Sequence, residues 1–70
     1  MNTVCTYHIQ IDGQVAEDEI NAMSPFQMTT ERIDTAATLF RVCTDQSGLI
    51  GLLRHLHGRG LVLLSVHRER

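Results

Sequence analysis

The chain has 70 residues, of which 43% are hydrophobic, and its formal net charge of −2 includes six arginines and no lysine. This length suits a single small domain, residues 1–70, in which burial only just outweighs chain entropy. The negative charge argues against a general nucleic-acid binder, and the sequence has neither a leader pattern nor the roughly 18 continuous apolar residues of a membrane span, so we expect a cytoplasmic protein.

The first half of the chain predicts a strand, a short helix and a second strand. Apolar and polar residues alternate over residues 3–11, which is typical of a half-buried strand. Residues 14–23 carry apolar side chains at helical spacing and three acidic residues in the first turn, and Pro25 ends this helix. Residues 26–30 alternate again as a strand, and the polar residues 31–34 predict a hairpin loop.

The second half predicts a longer strand, a well-delimited helix and a last strand. A strand is expected at residues 35–43, and Asp45 or Thr44 is expected to cap the following helix. Gly58 is expected just past its end, and residues 61–66 form an apolar run that predicts a buried strand. The apolar stripe of the helix consists of Leu49, Leu52, Leu53 and Leu56.

Two of the predicted strands carry apolar side chains on both faces. Leu39 and Phe40 have opposite parity in the third strand, and the fourth is apolar almost throughout. Helices on one side of a sheet cover only one face, so the second face requires another cover, most simply a second copy. The element order predicts an α+β, ferredoxin-like split βαβ (βαββαβ) domain: a four-stranded antiparallel sheet with both helices on one face and the first and third strands in the middle.

The last third of the chain resembles a family of small, mostly uncharacterised bacterial proteins. The pattern that carries the resemblance is Asp45-Gln46-x-x-Leu49-x-Gly51-Leu52-Leu53-x-x-Leu56-x-x-x-Gly60-Leu61-x-Leu63-Leu64-Ser65-Val66. The family also tends to start with a Tyr-x-Ile-x-Ile-x-Gly strand, as residues 7–13 do here. This chain departs from the family between Ala16 and Thr35, where aromatic residues and a glycine-containing hairpin are more usual. The resemblance supports the fold and implies no reaction and no functional residue.

The leading functional hypothesis is a non-catalytic protein–protein interaction or regulatory module. The chain is expected to form a homodimer through its sheet, and another protein partner is compatible with this hypothesis. No nucleophile, paired carboxylates or phosphate loop stands at an interpretable spacing, so we expect no enzyme. The candidate interface residues are Phe40, Val42, Val62 and Leu64.

Two other function classes remain open. A small-molecule-sensing domain would hold its ligand at the dimer interface, with Arg41 and His8 as candidate contacts for an anion or ligand. An RNA-binding module would stack bases on aromatic residues of the sheet, for which Phe40 or Tyr7 would serve. Neither aromatic residue is set among basic residues, so nucleic acid is the less favoured partner.

His8 and His67 are expected on neighbouring strands, where they would face each other. A metal site needs further ligands of matched geometry, so we expect no metal and no cofactor. Cys5 and Cys43 are interpreted as small buried residues rather than as a disulfide.

Gly48 and Gly51 both lie inside the second predicted helix. Glycine destabilises a helix interior by roughly 1 kcal/mol relative to alanine, so each needs a reason. Tight packing of the helix against the sheet is preferred to a phosphate site, because these glycines lie beyond the first exposed N–H groups of the helix.

Overall fold

The computed structural model describes residues 3–69, so residues 1, 2 and 70 of the predicted domain lie outside the described residues. The six elements are β1 (Cys5–Asp12), α1 (Glu17–Met23), β2 (Thr29–Ile33), β3 (Ala37–Thr44), α2 (Gln46–Gly58) and β4 (Leu63–Arg68). The strands form one sheet in the order β2-β3-β1-β4, and all neighbouring strands are antiparallel. The chain is therefore an α+β protein, and the predicted central position of the first and third strands is confirmed.

A single hydrophobic core joins both helices to one face of the sheet. The register pairs Tyr7 with Val42 and Ile9 with Phe40, so alternate residues of the two central strands point to the same side. Burying a large apolar side chain completely contributes roughly 1.5–3 kcal/mol. The core consists of Tyr7, Ile9, Ile11, Val15, Ile20, Met28, Phe40, Val42, Leu49, Leu52 and Leu56.

The opposite side of the sheet, which we call the open face, is mostly polar. Its residues on the central strands are half-buried or exposed, apart from Ala37 at the start of β3. The expectation that both faces are apolar is therefore wrong, because Phe40 and Val42 share the parity of the apolar face of β1 and Leu39 is the one large apolar residue of β3 on the open face. On the central strands the open face carries Thr6, His8, Gln10, Leu39, Arg41 and Cys43.

The predicted placement of Phe40 and Val42 at an interface is also wrong. Both side chains are buried in the core, with 0% and 1% of their surface exposed. Pairing with Ile9 and Tyr7 turns them towards the helices, and Leu39, the residue before Phe40, is left half-buried on the open face. A second copy of the chain cannot reach them in the folded state.

β4 is an edge strand, as the predicted strand order requires, but it is not buried as its apolar sequence predicted. Its one neighbour is β1, and apart from the half-buried Leu63 its residues are exposed. The register shifts between Gln10 and Ile11, and this leaves Leu64 without a partner on β1. The apolar run at the end of the sequence therefore belongs to an edge of the sheet and not to its interior.

The β2–β3 hairpin turns later than predicted. Residues 31–33 belong to β2, although their polarity predicted a loop. The turn forms at Asp34, whose carboxylate accepts backbone N–H bonds from Ala36 at 3.1 Å and from Ala37 at 2.9 Å. The aspartate side chain thus stabilises the turn by accepting backbone hydrogen bonds, and the turn forms without glycine.

α1 is shorter than predicted because Thr38 holds the residues before it. The buried Thr38 hydroxyl donates to the carbonyl of Gly13 at 2.8 Å and accepts from the N–H of Val15 at 3.0 Å. These bonds keep the chain extended on β3 until Ala16, and the helix begins at Glu17. The three acidic residues predicted for its first turn lie there and face the positive end of the helix dipole.

α2 has the predicted start and a different end. The Asp45 carboxylate accepts a hydrogen bond from the N–H of Gly48 at 2.7 Å, which confirms Asp45 as the N-cap. Gly58 is still helical, and the glycine with a left-handed backbone is Gly60, with φ of 88°. Within residues 3–69, neither helix combines the length and the apolar character that crossing a bilayer requires.

Candidate functional site

His8 lies at the centre of the open face and contacts a carboxylate through each ring nitrogen. Nδ1 contacts the Glu31 carboxylate from β2, and Nε2 lies 2.8 Å from the Glu69 carboxylate, which directly follows β4. Ionised carboxylates only accept hydrogen bonds, so both ring nitrogens must donate. His8 is therefore a protonated imidazolium in this arrangement, and we call the three side chains the His8 cluster.

The cluster raises the pKa of His8 above its ordinary value of 6.5. The hydrogen bond with Glu69 is the largest cause, partial burial opposes it, and the hydrogen bond and charge of Glu31 add to it. Because the pKa is raised by folding, the cluster stabilises the folded chain fully below pH 6.5, and this contribution is lost as the pH rises through the raised pKa.

The two cross-strand neighbours of His8 are Arg41 on β3 and His67 on β4. The strand order thus places His67 beside His8, but the ring of His8 is occupied by the carboxylates. Within the part of the chain that the structure describes, no three histidine, cysteine or acidic side chains are grouped so as to hold a metal ion.

Arg41 is exposed on the open face, and no carboxylate within residues 3–69 lies within ion-pair distance of it. It borders a shallow concavity of about 330 Å³, which Phe26, Thr29 and Cys43 also line. A second concavity, of about 220 Å³, lies near the β2–β3 turn and is lined by Arg32 and Leu39. Of the two predicted anion contacts, Arg41 is thus available to a ligand, whereas His8 already has two carboxylate partners.

The four predicted interface residues are separated by the fold. Phe40 and Val42 lie in the core, whereas Val62 and Leu64 are 56% and 50% exposed, the first just before β4 and the second within it. Tyr7 lies in the core with Phe40. Neither of the aromatic residues considered for base stacking can therefore contact a base on the open face.

Both cysteines are free thiols, and their predicted burial is not found. Cys5 is half-buried, and Cys43 is exposed on the open face, where its sulfur lies 3.4 Å from the Thr6 hydroxyl. The parity of β3 explains this position, since Cys43 follows Leu39 and Arg41 on the same side of the strand.

Sequence reasoning missed Glu31 and Glu69 as partners of His8. They are 23 and 61 residues away along the chain. Glu31 falls in the segment that polarity predicted to be a loop, and Glu69 follows the last predicted strand. If β2 is taken to run to residue 33, the alternation of its side chains puts Glu31 on the same face of the sheet as His8. This alternation is the one sequence signal that could have identified Glu31.

Comparison with known proteins gives a family and no activity. A family model described as "Domain of unknown function (DUF8691)" matches residues 6–67. No curated protein and no solved structure matches the chain. The expectation of an uncharacterised family is confirmed, and the function has to be argued from the geometry of this chain.

Proposed function

The chain belongs to the family described as "Domain of unknown function (DUF8691)", and we propose that it is a non-catalytic interaction module. On the basis of its geometry, we propose that it forms a homodimer through the free edge of β4. The observation that carries this proposal is an edge strand that exposes two large apolar side chains, Leu64 and Val66, directly after the exposed Val62. We also propose that the architecture is the ferredoxin-like split βαβ arrangement. Three observations support this architecture: the order of the elements, the central position of β1 and β3, and the single core that both helices share.

The two edges of the sheet differ in what they offer to another strand. Edge strands present unpaired N–H and C=O groups, and charged side chains are a common protection against unwanted pairing. β2 is five residues long and exposes Glu31 and Arg32 beside one large apolar residue, Ile33. β4 exposes Leu64 and Val66 among polar residues, and Val62 just before it is also exposed. Because more exposed apolar surface lies at β4, pairing is expected there rather than at β2.

A second copy is the partner that best suits this edge. Antiparallel pairing of β4 with the same strand of another chain satisfies the free backbone groups of both copies and extends the sheet across a two-fold axis. The same contact removes Val62 and Leu64 of each copy from water. A domain of 70 residues also gains stability from association, because its own core is small.

Leu64→Lys should separate the dimer into monomers. Burying an ammonium group without a partner is unfavourable, and we expect the dimer Kd to rise by at least about tenfold. Sedimentation velocity over a concentration series measures this, and circular dichroism checks the fold. Ile50→Lys is the matched control, because Ile50 is a similarly exposed apolar residue but lies on α2. A wild-type chain that is monomeric at every concentration would refute the dimer, as would equal effects of the two variants.

Anion binding on the open face is a second candidate function. It is favoured by Arg41, which borders a concavity and has no ion-pair partner among residues 3–69. If it is correct, small carboxylates or phosphates raise the melting temperature of the wild type and not of Arg41→Gln. Arg54→Gln, on the exposed side of α2, serves as the control variant. If none of the carboxylates and phosphates tested raises the melting temperature of the wild type more than that of Arg41→Gln, anion binding at Arg41 is wrong.

We propose further that the stretch from Asp45 to Val66 is the unit that the family shares. Its residues have structural roles that a common fold would retain. Asp45 caps α2, and Gly60 adopts a backbone conformation that favours glycine. The leucines of its helical stripe that lie in the core are Leu49, Leu52 and Leu56.

A further inference from the structure

The His8 cluster connects the centre of the sheet to both of its edges. Glu31 reaches His8 from β2, and Glu69 reaches it from the residue that follows β4. The backbone N–H of Glu69 also donates to the carbonyl of Thr6 at 2.8 Å. Glu69, the residue after β4, is thus attached to β1 by one backbone bond and one side-chain contact, and only the side-chain contact depends on ionisation.

The charged and titratable groups around His8 are few. From β2 it meets Glu31, from β3 its cross-strand neighbour is Arg41, and from β4 it meets His67 and then Glu69. Arg68 pairs with Tyr7, which places it on the other side of the sheet. Neither carboxylate of the cluster has an arginine within ion-pair distance among residues 3–69, so His8 is their cationic partner.

We propose that His8 is a pH-dependent clasp: the protonated ring holds Glu69 and the end of β4 on the sheet, and loss of the proton releases them. The clasp is a property of the single chain. Its effect on association rests on the proposed function, because β4 is the edge through which the dimer is proposed to form.

Glu69, rather than Glu31, is the group that leaves. A neutral imidazole keeps one N–H and presents a lone pair at its other nitrogen, so one of the two carboxylates then faces a lone pair. Glu31 lies within a strand and its side chain is 29% exposed, whereas Glu69 lies beyond the last strand and is 54% exposed. Release into water is easier for the more exposed group at the end of the element.

The direction of the pH effect follows from the raised pKa of His8. Below pH 6.5 the ring is charged and the clasp is closed. As the pH rises through the raised pKa the ring becomes neutral and the clasp opens. Glu69 is then held by its backbone bond to Thr6 alone, so the chain after Arg68 detaches from β1 more readily and the edge available for pairing becomes shorter. The dimer is therefore expected to be tighter at acidic than at alkaline pH.

NMR between about pH 5.5 and pH 8.5 tests the clasp directly. In the wild type, the His8 ring resonance should titrate above 6.5, and the Glu69 amide should lose protection against hydrogen exchange over the same range, relative to its intrinsic rate. Glu69→Gln should keep protection at this position throughout, because an amide side chain can accept from or donate to the ring. Glu19→Gln, in the first turn of α1, is the control and should behave as the wild type.

Protection of the Glu69 amide that stays constant while His8 titrates would overturn the clasp, as would a His8 ring that titrates at its ordinary value.

Sedimentation velocity at the two ends of this pH range tests whether the clasp affects the dimer. We expect the Kd to be about three- to fivefold higher at the alkaline value, within the range of exposed ion pairs, and to be independent of pH in Glu69→Gln. A chain that is monomeric throughout overturns the dimer, and the NMR result still decides the clasp. A dimer whose Kd does not change with pH overturns their coupling.

Discussion

Phe40→Ala should lower the free energy of unfolding by about 3–5 kcal/mol, because it leaves a cavity where the ring was completely buried. A chain of this length has a total stability of only about 4–10 kcal/mol, so the variant should be close to unfolding at ambient temperature. Urea denaturation followed by circular dichroism measures the loss.

Arg41→Ala is the control for Phe40→Ala, because Arg41 is the next residue and lies on the open face. Its effect should stay within about 0.5 kcal/mol. A larger loss for Arg41→Ala than for Phe40→Ala would mean that the parity of β3 is reversed. Aspartate substitutions at the buried Phe40 or Val42 would not test an interface either. A buried carboxylate would unfold the chain before dimer formation could be measured.

Gly48→Ala and Gly51→Ala should have opposite effects on stability, although both glycines lie in α2. A Cβ at Gly48 would clash with the Thr44 hydroxyl and lie 3.0 Å from the ring of Phe26, so these side chains or the elements that carry them must shift. We expect a loss of about 1–3 kcal/mol, typical of overpacking. A Cβ at Gly51 meets no atom within 4 Å, and alanine there should raise stability by up to about 1 kcal/mol. Thermal denaturation of the two variants gives the comparison.

A double variant identifies the contact responsible. Thr44→Ala combined with Gly48→Ala removes the hydroxyl that the new methyl group would meet, so the combined loss should be smaller than the sum of the two single losses. Additive losses would show that Thr44 is not the obstacle. The tight packing predicted for both glycines is confirmed for Gly48 and is wrong for Gly51, whose side of the helix faces open space.

Local sequence patterns predicted most of the elements well. The leucine stripe and the Asp45 cap define α2, because both act within one or two helical turns. The order of the elements, together with right-handed crossovers, also placed β1 and β3 in the middle of the sheet. The element ends were less accurate. Distant hydrogen bonds such as that between Thr38 and Val15 delay α1, and a carboxylate at Asp34 shifts the hairpin.

The proposed function depends on strand pairing and side-chain exposure, which no local sequence pattern contains. Leu39 and Phe40 are both apolar, and only the register with β1 decides which of them enters the core. The element order placed the strand of residues 61–66 at an edge of the sheet, but its apolar composition predicted burial, and only the structure shows that most of β4 is exposed.

The sequence alone determined the number, type and order of the elements and one of the helix caps, since these follow from interactions between residues close in the chain. The tertiary structure decided which sheet face is covered, which side chains the edge strands expose and which side chains surround His8. The partners of His8 come from 23 and 61 residues away, and their meeting depends on strand pairing across the whole sheet. Strand pairing is a cooperative property of all four strands. A two-residue period in the sequence shows that side chains alternate between the two faces, but it does not show which side chain of the neighbouring strand each one contacts.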